Sequence, residues 1–330
     1  MPELTAAVEV LKPGAFSTLQ DLGRRGFQHL GVSVSGVMDE VAHRLANAAV
    51  GNPPEVATLE ITLIGPVLRF GSSAVIACFG ADLSASLNGK ALAPGRAVSV
   101  PAGATLRFGA RRAGLRAYLA VRGGFALERV LGSASTLVRA GLGGHAGRPL
   151  AAGDVLTLAA PLGPAPRRAA RALRAQQALL DAAADPAPLR VVLGSEWPQF
   201  TPAAQAAWLG EAWRIGAQSD RMGYRLEGPV LERLVRADML SETVTFGTVQ
   251  VPPDGRPIVL MADRQSTGGY PRIAQVATAD LPRLAQRAPG EMLRFETIDV
   301  EAAQRLLLER ARLFADLAPA PRALRSHQTP

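Results

Sequence analysis

The stretch TLEITL, residues 58–63, alternates polar and apolar side chains without interruption. Strict alternation is the pattern of a β-strand that turns one face to a core and the other to solvent. Outward from this stretch, further short strands are predicted at Val67–Phe70, Val75–Phe79, Ala97–Val100, Thr105–Phe108 and Arg116–Val121. Asn88-Gly89 lies between them and is typical of a tight hairpin turn. Strands this short and this regularly spaced predict a mainly β barrel or sandwich.

Two helices are predicted among these strands. Asp39 can cap a helix over Val41–Val50, because its side chain can accept a hydrogen bond from a free backbone N–H group of the first turn, and Gly51 can end that helix. Near the other end of the chain, apolar residues recur at helical spacing over Ala302–Leu317. This spacing predicts a C-terminal amphipathic helix.

The chain changes character in its middle. Residues 161–188 are rich in alanine, arginine and proline, which predicts a linker that contains a helix. Strands are predicted again beyond it, at Leu189–Leu193, Val244–Val251, Pro257–Met261 and Ile273–Ala277. The sequence therefore predicts a β-rich N-terminal domain over 1–160, this linker, a second β-barrel domain over 189–318 that carries the C-terminal helix, and a flexible tail over 319–330.

The net charge of +8 over 330 residues raises the question of nucleic-acid binding. Nearly all of the positive charge is arginine, and much of it lies in Arg167, Arg168, Arg171, Arg174, Arg322 and Arg325. Aromatic residues make up only 5% of the chain and do not interleave with these arginines, so no base-stacking surface is indicated. The pattern favours a solvated basic linker, and no nucleic-acid partner is predicted.

The sequence does not indicate a membrane protein, a secreted protein or a disulfide-bonded protein either. No apolar run approaches the roughly 18 residues that a membrane span needs. The N-terminus carries Glu3 and lacks the basic region and apolar core of a secretory signal, so a cytoplasmic location is expected. Cys78 is the one cysteine, which excludes an intrachain disulfide, and its apolar surroundings predict a buried strand residue.

Several motifs that would carry chemistry are missing from the sequence. The phosphate-binding pattern G-x-x-x-x-G-K-[ST] does not occur. The glycine-rich run at residues 141–147 has the wrong spacing for a dinucleotide site and is predicted to be a loop. The four histidines, His29, His43, His145 and His327, lie far apart without paired ligand spacing, so no metal site is predicted.

Two dense polar blocks stand out against the alanine-rich background. The first is LQDLGRRG (19–26), continued by GVSVSGVMD (31–39). The second is SDRMGYRLEGP (219–229), followed by SE (241–242), GTVQVPPDG (247–255) and ADRQSTGGYP (262–271). Carboxylates, guanidinium groups, amides and glycines lie within a few residues of one another in these blocks. Such a mixture suits recognition of a small polar or anionic ligand.

At these blocks the sequence resembles the allophanate hydrolase subunit 2 family, also called the biotin-dependent carboxyltransferase family. The motifs QDLGR, VSGVMD, SDRMGYRLEGP and DRQSTGGYP carry the resemblance, which runs from about Val10 to Phe295. It implies a mainly β fold with two β-barrel-like domains, the C-terminal one cyclophilin-like, and a few short helices.

The resemblance also implies an activity that needs companion chains. It points to one subunit of an ATP-dependent 5-oxoprolinase, a hydrolase that opens the cyclic amide of 5-oxoproline to give glutamate. The partners would be a KipI-like chain of the allophanate hydrolase subunit 1 type and a lactam-utilisation protein. ATP, with Mg, would act at the level of the complex, and this chain would be inactive alone.

Two alternatives to the 5-oxoprolinase interpretation stay open. One is a KipA-like regulatory protein that binds and sequesters a KipI-like kinase inhibitor. The other is the carboxyltransferase half of a biotin-dependent, urea-carboxylase-like system. This second alternative would need a biotin carrier encoded nearby, because the chain has no biotin-accepting lysine in a Met-Lys context.

The two polar blocks supply the candidate site residues. The predicted catalytic residues are Asp263, Arg264 and Glu242, in which a carboxylate would act as general base or orienting group. The predicted substrate-binding residues are Asp220, Arg221, Gln250, Thr267 and Tyr270, and the predicted partner-binding or domain-organising residues are Gln20, Asp21, Arg24 and Asp39. A guanidinium group offers bidentate contact to a substrate carboxylate or phosphoryl group.

The same residues can also be interpreted as structural, because adjacent opposite charges and glycines often form tight turns in β-barrels. If the second polar block forms a ligand site, six of its side chains should converge on a single cleft: Asp220, Arg221, Gln250, Asp263, Arg264 and Tyr270.

Overall fold

The structure is a computed structural model that describes residues 7–160, 170–234 and 239–317, apart from the side chains of residues 170 and 171. The part of the predicted linker before residue 170 and the predicted flexible tail lie outside the described residues, with Arg167, Arg168, Arg322 and Arg325. The division into domains stays a prediction.

The first half of the chain forms two antiparallel sheets and one helix. Its elements are β1 (Ala7–Lys12), β2 (Phe16–Gln20), α1 (Glu40–Val50), β3 (Thr58–Thr62), β4 (Val67–Phe70), β5 (Ala74–Asp82), β6 (Ser86–Leu87), β7 (Lys90–Ala91), β8 (Ala97–Val100), β9 (Thr105–Arg107), β10 (Ala113–Val121) and β11 (Val155–Thr157). One sheet has the order β11-β1-β4-β9-β6-β7 and the other β2-β3-β10-β5-β8. Their apolar faces share one core, in which Val10 and Leu68 of the first sheet meet Leu59 and Leu119 of the second.

The second half wraps a single sheet into a nearly closed barrel. Its elements are α2 (Ala170–Ala184), β12 (Leu189–Leu193), α3 (Pro202–Gly210), β13 (Trp213–Ile215), β14 (Gly223–Glu227), β15 (Glu242–Thr243), β16 (Thr248–Gln250), β17 (Ile258–Leu260), β18 (Thr267–Gly268), β19 (Arg272–Val276), α4 (Leu281–Ala285), β20 (Met292–Leu293), β21 (Phe295–Thr297) and α5 (Val300–Leu317). The main sheet has the order β20-β13-β14-β17-β16-β19-β12-β21, and β15 pairs with β18 in a small separate ribbon. Its two edge strands are separated in sequence only by Arg294, so the sheet must curl until its edges come together.

The two halves share buried side chains. Met38, from the loop before α1, lies in the barrel core with Trp208, Trp213 and Tyr224. Helix α1 packs its apolar face on β5 and β10, and Leu179 of α2 and Leu317 of α5 join the same cluster. The halves therefore meet along a packed boundary close to the start of α1.

The mainly β fold is confirmed, as are most of the predicted elements. Asp39 caps α1 by accepting a hydrogen bond from the backbone N–H of Ala42 at 2.9 Å, and Gly51 ends the helix with a φ of 78°. Asn88 and Gly89 both have positive φ in the hairpin between β6 and β7. The helices α3 and α4 were not predicted.

Two sequence predictions were wrong in detail. The strand expected over Val244–Val251 is reduced to β16, because Phe246 and Gly247 form a turn in which Gly247 has a φ of 87°. The predicted strand at residues 58–63 is present as β3, but neither of its faces is open to solvent. Thr58 and Glu60 are both buried, and the ring of His43 in α1 lies 2.9 Å from the Thr58 hydroxyl, because α1 covers this side of the sheet.

Candidate functional site

A buried network of charged groups lies where the two halves of the chain meet. Arg221, in the turn before β14, donates from Nε to Asp263 Oδ2 at 2.9 Å and from Nη2 to Asp263 Oδ1 at 2.9 Å. Its Nη1 donates to Glu60 Oε1 on β3. Nη2 also donates to the carbonyl of Gly36 at 2.5 Å. One guanidinium from the second half thus links a carboxylate of each half.

Glu60 is the centre of this network on the side of the first half. Only 1% of it is exposed, and its Oε2 accepts hydrogen bonds from the backbone N–H of Met38 at 2.9 Å and from the Tyr118 hydroxyl at 2.8 Å. Arg116 lies 3.9 Å from Oε1 and donates to the Tyr224 hydroxyl at 2.5 Å. Both oxygens of the Glu60 carboxylate therefore have partners.

The electrostatics of the network favour the charged form of Arg221. Burial opposes ionisation of Arg221, but Asp263 and Glu60 raise the pKa of its guanidinium above the usual value. Burial raises the pKa of the Tyr118 hydroxyl well above its usual value, and Glu60 and Asp39 raise it further. The tyrosine thus acts as a hydrogen-bond donor to Glu60 and does not ionise near neutral pH.

The backbone of residues 35 and 36 is shaped to fit this network. Gly36 has a φ of 91°, and a Cβ atom there would lie 2.9 Å from the backbone nitrogen of Gly23. Ser35, also with a positive φ, donates from its hydroxyl to Asp263 Oδ1 at 2.7 Å. The first polar block therefore folds against Asp263 of the second.

Asp39 and Gln286 form a second connection between the halves. Gln286 donates from Nε2 to Asp39 Oδ2 at 2.7 Å and to the Arg116 carbonyl at 2.9 Å, while its Oε1 accepts the backbone N–H groups of Leu115 and Arg116. Burial raises the pKa of Asp39 to about 6, although the hydrogen bonds from Gln286 and the helix backbone oppose that shift. Asp39 thus connects the start of α1 to Gln286 of the second half, and its role as a domain-organising residue stays a prediction.

Asp21 and Arg24 of the first block are also buried. Asp21 accepts four hydrogen bonds, whereas two nitrogen atoms of Arg24 have no partner. Asp21 accepts hydrogen bonds from the hydroxyls of Ser133 and Ser135 at 2.5 and 2.6 Å and from two backbone N–H groups. Burial alone would raise its pKa, but these bonds hold the pKa below the usual value. Arg24 donates from Nη2 to the Ser135 carbonyl, whereas its Nε and Nη1 are buried without any partner.

Arg264 has a similar unused donor. Its Nε is buried without a partner, and its Nη1 makes only a 3.3 Å contact with the Met261 carbonyl. Burial and the nearby Arg25 lower the pKa of Arg264 to about 10. The Ser33 hydroxyl donates to the Arg264 backbone carbonyl at 2.7 Å, which holds the loop of Arg24 and Arg25 against this segment.

The other predicted site residues are not joined to this network by hydrogen bonds. Asp220 is exposed, and its Oδ1 accepts the backbone N–H groups of Met222 and Gly223 in a turn. Glu242 pairs with Arg272 at 2.6 Å, and Thr267 lies opposite Thr243 in the small ribbon. These placements match the structural interpretation, because each group serves local structure.

Gln250 and Tyr270 lie together, but apart from the charged network. Gln250 is buried and donates to the Tyr270 carbonyl at 3.2 Å. The Tyr270 side chain is 45% exposed and lines a groove of about 360 Å³ with Val230, Met239 and Pro252. The expectation of one cleft is therefore wrong, because these side chains stand on separate elements. Arg221, Asp263 and Arg264 lie at the boundary between the halves, Gln250 on β16 contacts Tyr270 beside the groove, and Asp220 lies on an exposed turn.

Sequence reasoning missed Glu60, Ser35, Arg116, Tyr118 and Gln286. Glu60 was assigned to solvent by the alternation of its strand, and only the covering helix α1 reverses that assignment. The sequence did carry one signal, since Ser35 lies inside the VSGVMD motif. The other four lie outside both polar blocks, and their roles depend on contacts between residues far apart in the chain.

In chemical terms, the site offers a buried carboxylate held in a fixed orientation beside two guanidinium groups with unused donors. Arg221 and Ser35 orient Asp263 through hydrogen bonds. The negative charge of Asp263 raises the pKa of both Arg24 and Arg264 against the effect of their burial. Such an arrangement can hold a small anion and align it against a carboxylate. Among the described residues, no cluster of three His, Cys, Asp or Glu side chains could hold a metal ion.

Comparison with known proteins agrees with this arrangement. The family described as "Carboxyltransferase domain, subdomain A and B" matches residues 30–297, a span that includes Glu60, Arg221 and Asp263. The chain belongs to this carboxyltransferase-domain family. Because the match spans both halves of the chain, the whole network between them lies within the family's domain.

Two curated relatives are similar over nearly the whole chain. The chain is 38% identical to the C subunit of 5-oxoprolinase from Escherichia coli, over 94% of this chain and 97% of that protein. It is also 38% identical to the C subunit of 5-oxoprolinase from Haemophilus influenzae, over 91% of this chain and 94% of that protein. This carboxyltransferase-domain protein therefore matches both relatives end to end.

A solved structure extends the comparison to a much larger protein. The crystal structure of the K. lactis urea amidolyase superposes with a TM-score of 0.86 and 31% identity, covering 95% of this chain. The chain spans only 20% of that protein.

In the described residues, no helix combines the length and apolar character needed to cross a membrane.

Proposed function

We propose that this chain is the C subunit of a 5-oxoprolinase and contributes part of a composite substrate site. The observation that carries the proposal is the 38% identity to the E. coli protein over 97% of its length. A match of this extent leaves no large part of either chain unpaired. The same level of identity to the H. influenzae protein supports the same assignment.

The complex would open the lactam ring of 5-oxoproline to give glutamate, with hydrolysis of ATP in the presence of Mg. A KipI-like chain and a lactam-utilisation protein would complete it. The sequence has no phosphate-binding glycine loop of the G-x-x-x-x-G-K-[ST] type, so we assign ATP to the assembled complex and not to this chain alone. This chain would supply Arg24, Arg264 and the oriented carboxylate of Asp263 to the substrate.

The proposal is tested by reconstitution. The chain is purified alone and after co-expression with a KipI-like chain and a lactam-utilisation protein, and glutamate formation from 5-oxoproline is measured with and without ATP. We expect ATP-dependent glutamate formation only from the assembled complex. Full turnover by the single chain would contradict the composite site, and a complex that assembles but forms no glutamate would contradict the proposed activity.

A carboxyltransferase is the second candidate function, favoured by the family match and by the TM-score of 0.86 to the urea amidolyase. This function requires a carboxylated biotin carrier as the donor. The test incubates the chain and its KipI-like partner with a carboxylated biotin carrier and urea, and follows loss of the carboxyl group from the carrier. Substrate-dependent decarboxylation of the carrier would favour this function over the 5-oxoprolinase.

A further inference from the structure

Three polar side chains near Asp263 have buried hydrogen-bonding atoms without a partner. They are Arg24, through Nε and Nη1, Arg264, through Nε, and Gln20, through Oε1. Arg24 is 1% exposed and Gln20 is fully buried. A buried charged donor without a partner costs free energy, so groups of this kind are rare unless a ligand or water completes them.

Gln20 and Arg24 are both anchored to the same short segment, residues 135–136. Gln20 donates from Nε2 to the Thr136 carbonyl at 3.0 Å, and Arg24 donates from Nη2 to the neighbouring Ser135 carbonyl. The Ser35 hydroxyl contacts the Thr136 carbonyl at 3.1 Å and Asp263 at 2.7 Å. These bonds place the side chains of Gln20, Arg24 and Asp263 around the same two carbonyl groups.

The nearby carboxylates already have hydrogen-bond partners. Asp21 is fully used by two serine hydroxyls and two backbone N–H groups. Asp263 is committed to Arg221 and Ser35. Arg25 adds a third positive charge beside Arg264. Neither carboxylate hydrogen-bonds the unused donors of Arg24 and Arg264, so those donors are available to an added anion.

The free atoms also indicate the chemistry of that anion. Guanidinium N–H groups donate charge-assisted hydrogen bonds to the oxygens of a carboxylate. The free amide oxygen of Gln20 is an acceptor and calls for an N–H donor on the same ligand. The glycine loop covers Arg24, and a Cβ atom on Gly143 would lie 3.0 Å from its Nη2.

We propose that Arg24 and Arg264 bind the carboxylate of a small lactam acid whose ring N–H donates to Gln20 Oε1. The assignment of the acid as 5-oxoproline rests on the proposed function, whereas the carboxylate site itself rests only on the free donors. Arg24, which the sequence suggested as an organising residue, thereby becomes a substrate-binding residue.

The test measures ligand binding to the assembled complex by calorimetry without ATP. The probes are 5-oxoproline, 2-pyrrolidinone, which lacks the carboxylate, cyclopentanecarboxylate, which lacks the N–H group, and inorganic phosphate. The variants are Arg24→Gln, Arg24→Lys and Arg264→Gln, with Arg96→Gln as the control at an exposed arginine just before β8.

We expect Arg24→Gln and Arg264→Gln each to weaken 5-oxoproline binding about 10- to 100-fold, the range for a lost hydrogen bond to a charged group. Binding of 2-pyrrolidinone should be equal in all variants, Arg24→Lys should restore part of the affinity, and Arg96→Gln should match the wild type. The same two glutamine variants should raise KM more than they lower kcat.

Unchanged binding of 5-oxoproline by folded glutamine variants would overturn the proposal, as would phosphate that binds more tightly than the lactam acid. If Arg24→Gln fails to fold, Arg264→Gln decides, because that residue is only partly buried. If the complex forms no glutamate yet binds cyclopentanecarboxylate in an Arg24-dependent way, the proposed function fails and the carboxylate site stands.

Discussion

Arg221 and Arg24 are both buried arginines near Asp263, yet they use their hydrogen-bond donors in opposite ways. Arg221 donates to Asp263, Glu60 and the Gly36 carbonyl. Arg24 donates only to the Ser135 carbonyl, and two of its nitrogen atoms have no partner. The difference separates a group that fixes the two halves of the chain from a group that is open to a ligand.

The comparison also shows why neighbouring arginines can serve two purposes. A buried ion pair is stable only when both members are fully hydrogen-bonded, as Arg221, Glu60 and Asp263 are. Once those bonds are made, Arg221 has little capacity left for a substrate. We therefore reassign it from substrate binding to positioning, since it holds Asp263 in place beside Arg24 and Arg264.

The largest effect is expected when Arg221, whose hydrogen-bond donor atoms all have partners, is replaced. Arg221→Leu leaves Glu60 and Asp263 buried without their shared cation, and we expect the free energy of unfolding to fall by about 3–5 kcal/mol. Urea denaturation measures this change. Arg214→Leu is the matched control, because Arg214 pairs with Glu227 at the surface and its loss should cost at most about 1 kcal/mol. Equal effects of the two substitutions would contradict a structural role for Arg221.

The second connection between the halves predicts a pH dependence. The pKa of Asp39 is about 6 in the folded protein against 3.8 when unperturbed, so folding favours its protonated form. Its contribution to stability is complete below about pH 4 and is lost as the pH rises through 6, by about 3 kcal/mol in all. Thermal unfolding of the wild type and of Asp39→Asn between pH 4 and pH 8 should show this loss only in the wild type. Parallel pH profiles would show that Asp39 titrates normally.

The unsaturated arginines should behave in the opposite sense to Arg221. We expect Arg264→Gln to change the free energy of unfolding by less than about 1 kcal/mol and to leave the complex assembled, while kcat/KM for glutamate formation falls about 10- to 100-fold. Urea denaturation, size-exclusion chromatography and the glutamate assay measure the three effects. A complex of unchanged turnover would remove Arg264 from the site.

The smallest effect is expected at Asp220, which lies next to Arg221 in sequence but only caps a turn. Asp220→Ala removes acceptors for two backbone N–H groups and should cost about 1 kcal/mol of stability with no loss of turnover. Asp220→Asn keeps an acceptor and should recover most of that cost. A loss of activity in a stable Asp220→Asn complex would return this residue to the site.

The sequence predicted much of the fold because its signals there are local. The cap at Asp39, the turn at Asn88-Gly89 and the alternation at residues 58–63 each depend on neighbours within a few residues. The solvent side of β3 could not be predicted, because the cover over Thr58 and Glu60 comes from packing of α1 on the sheet. The turn at Gly247 was missed since its flanking valines and threonines favour strand.

The site was predicted less well than the fold, for a related reason. Polar density along the sequence identified Asp263, Arg264 and Arg24 but could not tell which donors are used. Glu60 is a single acidic residue in a strand, and its importance depends on Arg221, which lies 161 positions away. Glu242 and Asp220 are charged like the residues of the site, but they lie elsewhere in the structure.

A crystal structure of the assembled complex with bound 5-oxoproline tests the central contrast most directly. We predict that the carboxylate lies within about 3 Å of free guanidinium nitrogens of Arg24 and Arg264, with the bonds of Arg221 to Glu60 and Asp263 unchanged. A carboxylate bound to Arg221 with those bonds broken, or a ligand in the groove beside Tyr270, would contradict the account.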